Sequence, residues 1–142
     1  MGRMFAVDAD TGRACTDFGT GGFADLKIPE NGGDGRFFMS SPQAVLGDAV
    51  IIGGGVGDNV KADSTDGIIR AIDVRTGALL WRLVLVPEHL SDVTGGADVW
   101  PPFTVDVERN VAFVATGSPS VDVYGAGRTD PMPYANALLA ID

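Results

Sequence analysis

Apolar residues in this chain fall into short runs that are separated by Gly, Asp, Asn and Pro. The runs at 49–52, 68–72 and 111–115 are rich in Val, Ile and Ala, and runs of this length and content are typical of β-strands. No segment keeps the 3.6-residue apolar spacing of an amphipathic helix over about ten residues. Pro87 also argues against a long helix in the apolar stretch 84–90. The pattern therefore predicts an all-β protein.

One strand-and-turn segment occurs repeatedly. An apolar strand runs into the sequence Asp-x-x-Thr-Gly at residues 3–12 and again at 68–77, and a third copy of the strand lies at 137–142. In such a turn the Asp side chain can cap the backbone and the Gly supplies a positive φ. A second strand follows at 78–81, so this part of the chain is predicted to be a β-hairpin.

A second segment also repeats. Residues 44–58 and 104–122 each contain a strand, a turn, a second strand and a loop that ends in Asp. The two final residues, Asp58 and Asp122, are 64 positions apart. Four short strands in a repeating unit are the signature of a β-propeller blade. The predicted repeat units are about 1–12, 13–77 and 78–142.

The number of units indicates an incomplete ring. With units of about 65 residues, the 142 residues hold just over two blades, whereas propellers typically close with about 4–8 blades. The whole chain, 1–142, is thus predicted to be part of one larger propeller domain. An unclosed piece exposes strand edges and apolar blade faces, so self-association is expected when it is made alone.

Composition agrees with a turn-rich chain and excludes several classes of function. The acidic residues are 16 Asp and only 3 Glu, and Gly and Pro together number 28. The net charge of −9 argues against nucleic acid as a partner, because a phosphate-binding face must be basic. A single Cys and a single His exclude an internal disulfide and a zinc site of the usual ligands.

Targeting segments are not visible in the sequence. No apolar stretch reaches the roughly 18 residues of a membrane span. Arg3 and Asp8 interrupt the apolar N-terminal residues, so no signal-peptide core is present. Either the protein is cytoplasmic or its natural N-terminus lies upstream.

Two motifs are similar to known ligand loops but lack a required part. The Gly-rich loop 53–57 is not followed by the helix that a dinucleotide-binding loop needs. The Asp-rich turn that begins at Asp8 would place Gly19 where a calcium loop needs a bidentate acid. Both motifs are therefore interpreted as structural.

Three residues are candidates for ligand binding, each with a structural alternative. Trp100 lies in the Gly/Pro-rich segment 95–102, where an aromatic ring can offer a flat face to a planar ligand or simply pack. Asp58 and Asp122 end loops that gather at one rim of a propeller, where carboxylates can bind a hard cation or cap turns. Trp81, by contrast, follows a hairpin turn within a strand and is predicted to pack between blades.

The chain resembles the propeller domain of pyrroloquinoline quinone (PQQ) dependent dehydrogenases, and most of all their glucose dehydrogenase branch. The resemblance spans nearly the whole chain. It is carried by the segments 2–12, 17–19, 53–59, 67–81 (the tryptophan-docking motif), 99–102, 116–122 and 134–142. The docking motif also occurs in non-enzymatic blades, while the segments around Trp100 and Asp122 are more specific to the dehydrogenases.

The resemblance implies an eight-bladed enzyme that holds PQQ in its central channel, together with a divalent cation, Ca²⁺ or Mg²⁺, that polarises the quinone. A sugar or alcohol, of the glucose type, would be oxidised by hydride transfer to PQQ, with a quinone or cytochrome as electron acceptor. A periplasmic, membrane-associated location is implied as well. In the family, the catalytic Asp and the PQQ-contacting Lys lie downstream of a Trp-Asp-containing segment that is absent here. We therefore assign no catalytic residue and expect the isolated chain to be inactive without the remainder of the propeller.

Carried over residue by residue, Trp100 looks like the tryptophan that stacks on the quinone, and Asp58 and Asp122 look like carboxylates near the cofactor pocket. The neighbouring polar candidates for cofactor binding are Asn59, Thr116 and Ser118. Ser118 stands where the alcohol dehydrogenase branch often has an Asn metal ligand, so the metal ligands stay unassigned. Cys15 alone cannot provide the adjacent cysteine pair of that branch, which favours the glucose dehydrogenase branch.

Two functions from different classes follow from these observations. The first is a part of a PQQ-dependent dehydrogenase that supplies one portion of the PQQ pocket. The alternative is a non-catalytic PQQ-like repeat propeller that acts as a protein-interaction scaffold. A scaffold would keep Trp81 and the Asp-Thr-Gly turns but has no need of Trp100 or Asp122, and the presence of these two residues favours the dehydrogenase.

Overall fold

Antiparallel sheets organise the residues that the structure, a computed structural model, describes: 2–26, 36–125 and 127–142. Among these residues the helical structure is one turn of 3₁₀ helix at Glu88–Leu90. The strands are β1 (Arg3–Phe5), β2 (Phe23–Asp25), β3 (Phe37–Phe38), β4 (Ala44–Leu46), β5 (Ala49–Ile52), β6 (Gly55–Val56), β7 (Ile68–Asp73), β8 (Leu79–Val84), β9 (Thr104–Asp106), β10 (Val111–Ala115) and β11 (Leu138–Ile141). The predicted all-β class is confirmed.

One sheet has the four antiparallel strands of a propeller blade, in the order β4-β5-β7-β8. Its first hairpin turns at Gly47, which has a φ of 57° that an L side chain rarely adopts. A second sheet repeats the first three positions of this order with β9, β10 and β11. The two sheets confirm the predicted repetition of strand, turn and strand at 44–58 and 104–122.

The Asp-x-x-Thr-Gly turn has the predicted hydrogen bonds. Between β7 and β8, Oδ1 of Asp73 accepts hydrogen bonds from the backbone N–H of Thr76 at 2.7 Å and from its hydroxyl at 2.8 Å. Gly77 then takes a φ of 71°. Asp8 accepts the same two bonds from Thr11, at 2.8 and 2.6 Å. These bonds hold the pKa values of Asp73 and Asp8 below the ordinary range. The predicted turns at residues 8–12 and 73–77 are thereby confirmed.

The core lies between successive sheets. One buried cluster joins Ile69 of β7 and Ile51 of β5 to Val114 of β10, and Trp81 packs against this cluster. Trp81 therefore lies between the two sheets, as predicted. A second buried cluster joins Ala24 of β2 to Ile52 of β5 and Ile72 of β7, with Phe18 packed among them.

The sheets and the predicted repeat units are out of phase. The β4-β5-β7-β8 sheet runs from residue 44 to residue 84, so it includes strands on both sides of the predicted boundary at 77/78. The cause is the hairpin pairing of β7 with β8 across the Asp-Thr-Gly turn.

In the part of the chain that the structure describes, no helix is long and apolar enough to cross a membrane.

Candidate functional site

Three loops from different parts of the chain meet in space, and we call residues 53–59, 94–100 and 116–122 the loop cluster. The middle loop, residues 94–100, is hydrogen-bonded to both of the other loops. Its backbone hydrogen bonds join Val99 N–H to Gly54 O at 3.0 Å, Ala97 N–H to Ser118 O at 2.7 Å, and Gly117 N–H to Asp98 O at 2.8 Å. The two Gly-rich loops that the sequence places after matching strands are therefore held on either side of one Trp-containing segment.

Glycine is required where these backbones approach. A Cβ atom at Gly53 would lie 2.6 Å from Cβ of Val99. A Cβ atom at Gly117 would lie 2.5 Å from Oδ1 of Asp98. Side chains at either position would separate the loops, so the Gly-rich sequence serves close packing of backbones here.

Three polar side chains, Thr94 and Ser120 in the cluster and Ser64 next to it, are buried and hydrogen-bonded. Ser64 and Ser120 have less than a few per cent of their surface exposed, and their hydroxyls form a hydrogen bond with each other. The hydroxyl of Thr94 donates to the backbone carbonyl of Ser120 at 2.7 Å. This layer fixes the positions of the loops, because few alternative partners are available inside the protein.

The structure brings Asp58, Asn59 and Asp122 together. Nδ2 of Asn59 donates to Oδ2 of Asp122 at 2.9 Å, and the backbone N–H of Asp122 donates to Oδ1 of Asn59 at 3.1 Å. Burial raises the pKa of Asp58, and the negative charge of Asp122 raises it further. The two Asp residues that the repeats align thus interact electrostatically across the loop cluster.

Asp98 is a third carboxylate in the cluster, and our sequence reasoning missed it. Only 3% of its surface is exposed. Oδ2 accepts a hydrogen bond from the backbone N–H of Val56 at 3.3 Å, while Oδ1 is buried with no hydrogen-bond partner. Burial raises the pKa of Asp98 to about 6, with further increases from the charges of Asp58 and Asp122.

Trp100 follows directly in the same loop, two residues after Asp98. It is 56% exposed, although it is one of the largest apolar residues in the chain. Its backbone carbonyl accepts hydrogen bonds from the hydroxyls of Ser40, at 3.2 Å, and Ser41. In the described structure the ring of Trp100 therefore keeps a face that a planar ligand can reach.

Thr116 and Ser118 both use their hydroxyls to hold the segment that leads into β11. The Thr116 hydroxyl donates to Ala137 O at 3.2 Å and accepts from its N–H at 3.0 Å. The Ser118 hydroxyl donates to Oδ1 of Asn136 at 2.8 Å. Both lie in the loop cluster, but neither hydroxyl is directed to Asp58 or Asp122 by these bonds.

The charges and donor atoms of the cluster suit a cation. Carboxylate and carboxamide oxygens, which Asp58, Asp98, Asp122 and Asn59 carry, are of the kind that Ca²⁺ and Mg²⁺ prefer. Within the described ranges, however, no group of three or more His, Cys, Asp or Glu side chains is arranged to hold a metal ion directly. The described side chains therefore do not form a complete cation site by themselves.

Successive antiparallel sheets that share a hydrophobic core define the chain as part of a β-propeller. Comparison with known proteins agrees: residues 1–142 match the family described as "PQQ: Glucose/ethanol/alcohol dehydrogenase, beta-propeller domain". The chain belongs to this family of PQQ-dependent dehydrogenase propellers. The predicted resemblance and propeller fold are thereby confirmed.

Individual relatives show the same relationship. The chain is 36% identical to quinoprotein glucose dehydrogenase A of Acinetobacter calcoaceticus and 37% identical to quinate/shikimate dehydrogenase (quinone) of Acinetobacter baylyi. Each match covers 99% of this chain and 19% of the relative. The crystal structure of quinohemoprotein alcohol dehydrogenase from Comamonas testosteroni is similar with a TM-score of 0.63 and 25% identity, over 84% of this chain and 19% of that one. The chain therefore spans about a fifth of the length of these relatives. Because they are dehydrogenases, they favour the enzyme hypothesis over the scaffold.

Proposed function

We propose that this chain supplies one portion of the PQQ pocket of a dehydrogenase that oxidises a sugar or an alcohol, of the glucose type. The observation that carries the proposal is the exposed ring of Trp100, on a hydrogen-bonded backbone, in the same loop cluster as Asp58, Asp98 and Asp122. A planar quinone needs a flat apolar face, and a polarising cation needs oxygen ligands. The loop cluster offers both within one short stretch of structure.

Each residue of the cluster has a role in this proposal. Trp100 stacks on the quinone, and Asp58 and Asp122 hold a divalent cation, Ca²⁺ or Mg²⁺. Asn59 orients Asp122 through the paired hydrogen bonds described above. Thr116 and Ser118 hold the segment 136–137 through their hydroxyls, and both are candidates for polar contacts with the cofactor. PQQ would supply the acceptor for the hydride that the substrate loses.

Charge explains why a cation belongs in this pocket. PQQ carries acidic groups, and three Asp side chains without a counter-ion would repel it. A bound divalent cation would offset that repulsion. We further propose that the rest of a propeller supplies the substrate base, that the electron acceptor is a quinone or a cytochrome, and that the complete enzyme is periplasmic and associated with the membrane. By this proposal the 142 residues alone are inactive.

A fluorescence titration with PQQ tests the proposal, because the chain has only two tryptophans. Trp81→Phe leaves Trp100 as the single tryptophan, and Trp100→Phe leaves Trp81. We expect PQQ, added with CaCl₂ or MgCl₂, to quench the emission of the Trp81→Phe protein in a saturable manner. The Trp100→Phe protein should show little saturable quenching, because Trp81 lies between the sheets.

Affinity is measured in parallel by equilibrium dialysis, which does not depend on tryptophan. Stacking of a planar ring on an aromatic side chain contributes about 1–3 kcal/mol, so Trp100→Ala should weaken PQQ binding roughly 5- to 150-fold. The matched control, Trp81→Phe, should bind as the unmodified protein does. Equal PQQ affinity in Trp100→Ala and the control would refute the assignment of Trp100.

A further inference from the structure

We propose that Ser41 is a positioning residue for Trp100: its hydroxyl holds the backbone of the tryptophan, so that the ring stays presented to a planar cofactor. This inference rests on the proposed function, which assigns Trp100 to the PQQ pocket. Ser41 lies outside the loop cluster, in the segment between β3 and β4, and is 59 positions away from Trp100 in the sequence.

The first argument is how the backbone at Trp100 is held. The hydroxyl of Ser41 donates a hydrogen bond to the carbonyl oxygen of Trp100, and the hydroxyl of Ser40 donates to the same oxygen at 3.2 Å. The two residues that follow Trp100 are prolines, which have no backbone N–H to donate. Backbone N–H groups therefore cannot hold the loop directly after Trp100, and the hydroxyl bonds to its carbonyl fix it instead.

The second argument is that Ser41 is itself held in place. Its backbone carbonyl accepts a hydrogen bond from Nε2 of Gln43 at 3.0 Å, and the residue is partly buried. Strand β3, just before it, pairs with β6, with Phe38 opposite Gly55. Because β6 lies in the loop that leads to Asp58, the serine is attached to the loop cluster through backbone pairing and does not depend on a free chain segment.

The third argument is the exposure of the ring. Trp100 is 56% exposed, so its ring is less restricted by packing than a ring in the core is. Exposed side chains change rotamer within picoseconds to nanoseconds. A binding group that is fixed beforehand gains affinity, because less conformational entropy is lost when the ligand binds. By fixing the carbonyl of Trp100, the Ser41 bond restricts the direction of the Cα–Cβ bond and so limits where the ring can move.

Time-resolved fluorescence anisotropy of the Trp81→Phe protein, in which Trp100 is the single tryptophan, tests the inference without a ligand. In this background Ser41→Ala removes the hydroxyl and adds nothing. Loss of one neutral hydrogen bond raises the population of conformers that lack it about 2- to 10-fold, so the amplitude of the fast, local depolarisation should rise. Ser41→Thr keeps a hydroxyl and should restore the original amplitude.

Ser91→Ala, made in the same background, is the matched control. It removes a hydroxyl that also donates to a backbone carbonyl, that of Glu88, at 2.9 Å. Ser91 lies outside the loop cluster, so its replacement should leave the depolarisation of Trp100 unchanged. Urea unfolding of both variants should show similar, small losses of stability. A change of depolarisation confined to Ser41→Ala then reports the position of the ring rather than a general loss of structure.

A double-mutant cycle, measured by equilibrium dialysis, connects the Ser41 hydroxyl to the cofactor. We expect Ser41→Ala to weaken PQQ binding about 2- to 10-fold when Trp100 is present. In the Trp100→Ala protein, Ser41→Ala should cause little further change in PQQ affinity, because the serine acts through the ring. This non-additivity distinguishes a positioning residue from one that contacts PQQ itself.

The outcomes separate this inference from the proposed function. Unchanged depolarisation of Trp100 in Ser41→Ala, or raised depolarisation with an unchanged PQQ affinity, overturns the inference. An equal loss of PQQ affinity with and without the Trp100 ring also overturns it, since Ser41 then acts on PQQ by another route. Absence of PQQ binding overturns the proposed function, whereas a rise in depolarisation that Ser41→Thr reverses still supports the role of Ser41 in holding the ring.

Discussion

Replacing Asp98 with Asn should change how the stability of the protein depends on pH. Burial and the charges of Asp58 and Asp122 raise the pKa of this carboxyl from 3.8 to about 6 in the folded state. Between these two values the folded protein binds a proton that the unfolded chain does not. The contribution of Asp98 to stability is therefore greatest below pH 3.8 and is lost as the pH rises through about 6.

The magnitude follows from the separation of the two pKa values. Each pH unit of separation corresponds to about 1.4 kcal/mol, so Asp98 lowers the free energy of unfolding by about 3 kcal/mol between acid and neutral pH. Because Asn cannot ionise, the variant does not lose this part of its stability as the pH rises. The difference in stability, Asp98→Asn minus unmodified protein, should accordingly increase by about 3 kcal/mol from pH 3.5 to pH 7.

Urea unfolding followed by circular dichroism, with EDTA present to remove cations, measures this difference at each pH. Subtracting the free energy of unfolding of the unmodified protein from that of the variant cancels the contributions of other carboxyl groups. These include Asp8 and Asp106, whose lowered pKa values make stability rise with pH. Asp73→Asn is the control of opposite sign: hydrogen bonds from Thr76 lower the pKa of Asp73, so this variant should lose more stability at pH 7 than in acid. A difference for Asp98→Asn that stays constant with pH would refute the reasoning.

Three further predictions concern the fold. Gly77→Ala should destabilise the protein by at least about 1–2 kcal/mol in thermal or urea unfolding, because the φ of residue 77 is 71° and the new Cβ would lie 3.1 Å from Phe18. Gly12→Ala is the matched control. Its Cβ would meet nothing within 4 Å, so this variant should lose less stability. Leu85→Ala should cost about 2–5 kcal/mol, since Leu85 is fully buried, and Leu80→Ala, at 51% exposure, should cost less than half as much. Exposed aromatic side chains on the β1–β2 sheet predict concentration-dependent association, and a sharp monomer peak in light scattering at high concentration would contradict this.

The repetition of local signals made the sheets predictable from the sequence. Asp73 and Gly77 specify a turn whose geometry depends only on neighbouring residues, and the short apolar runs on either side specify strands. The same applies to the first copy, at Asp8 and Gly12. Because these determinants are local, the structure reproduces them at the predicted positions.

Asp98 could not be predicted in the same way. Its sequence neighbourhood, between Gly96 and Trp100, is typical of an exposed loop, and nothing local indicates burial. The burial arises from backbones at Gly53 and Gly117, which approach the middle loop from positions far along the chain. Those glycines were visible as clusters in the sequence, but the sequence does not show which backbone lies opposite each of them. The convergence of Asp58 with Asp122 was predicted only through the alignment of the repeats.

A crystal structure of the protein with PQQ and MgCl₂ tests the central claim most directly, because it shows where the quinone lies. Our account predicts the quinone plane against the ring of Trp100, with Asp58 and Asp122 on the side of the bound cation. PQQ bound away from the loop cluster, or Trp100 packed into the protein with no cofactor beside it, would contradict the account.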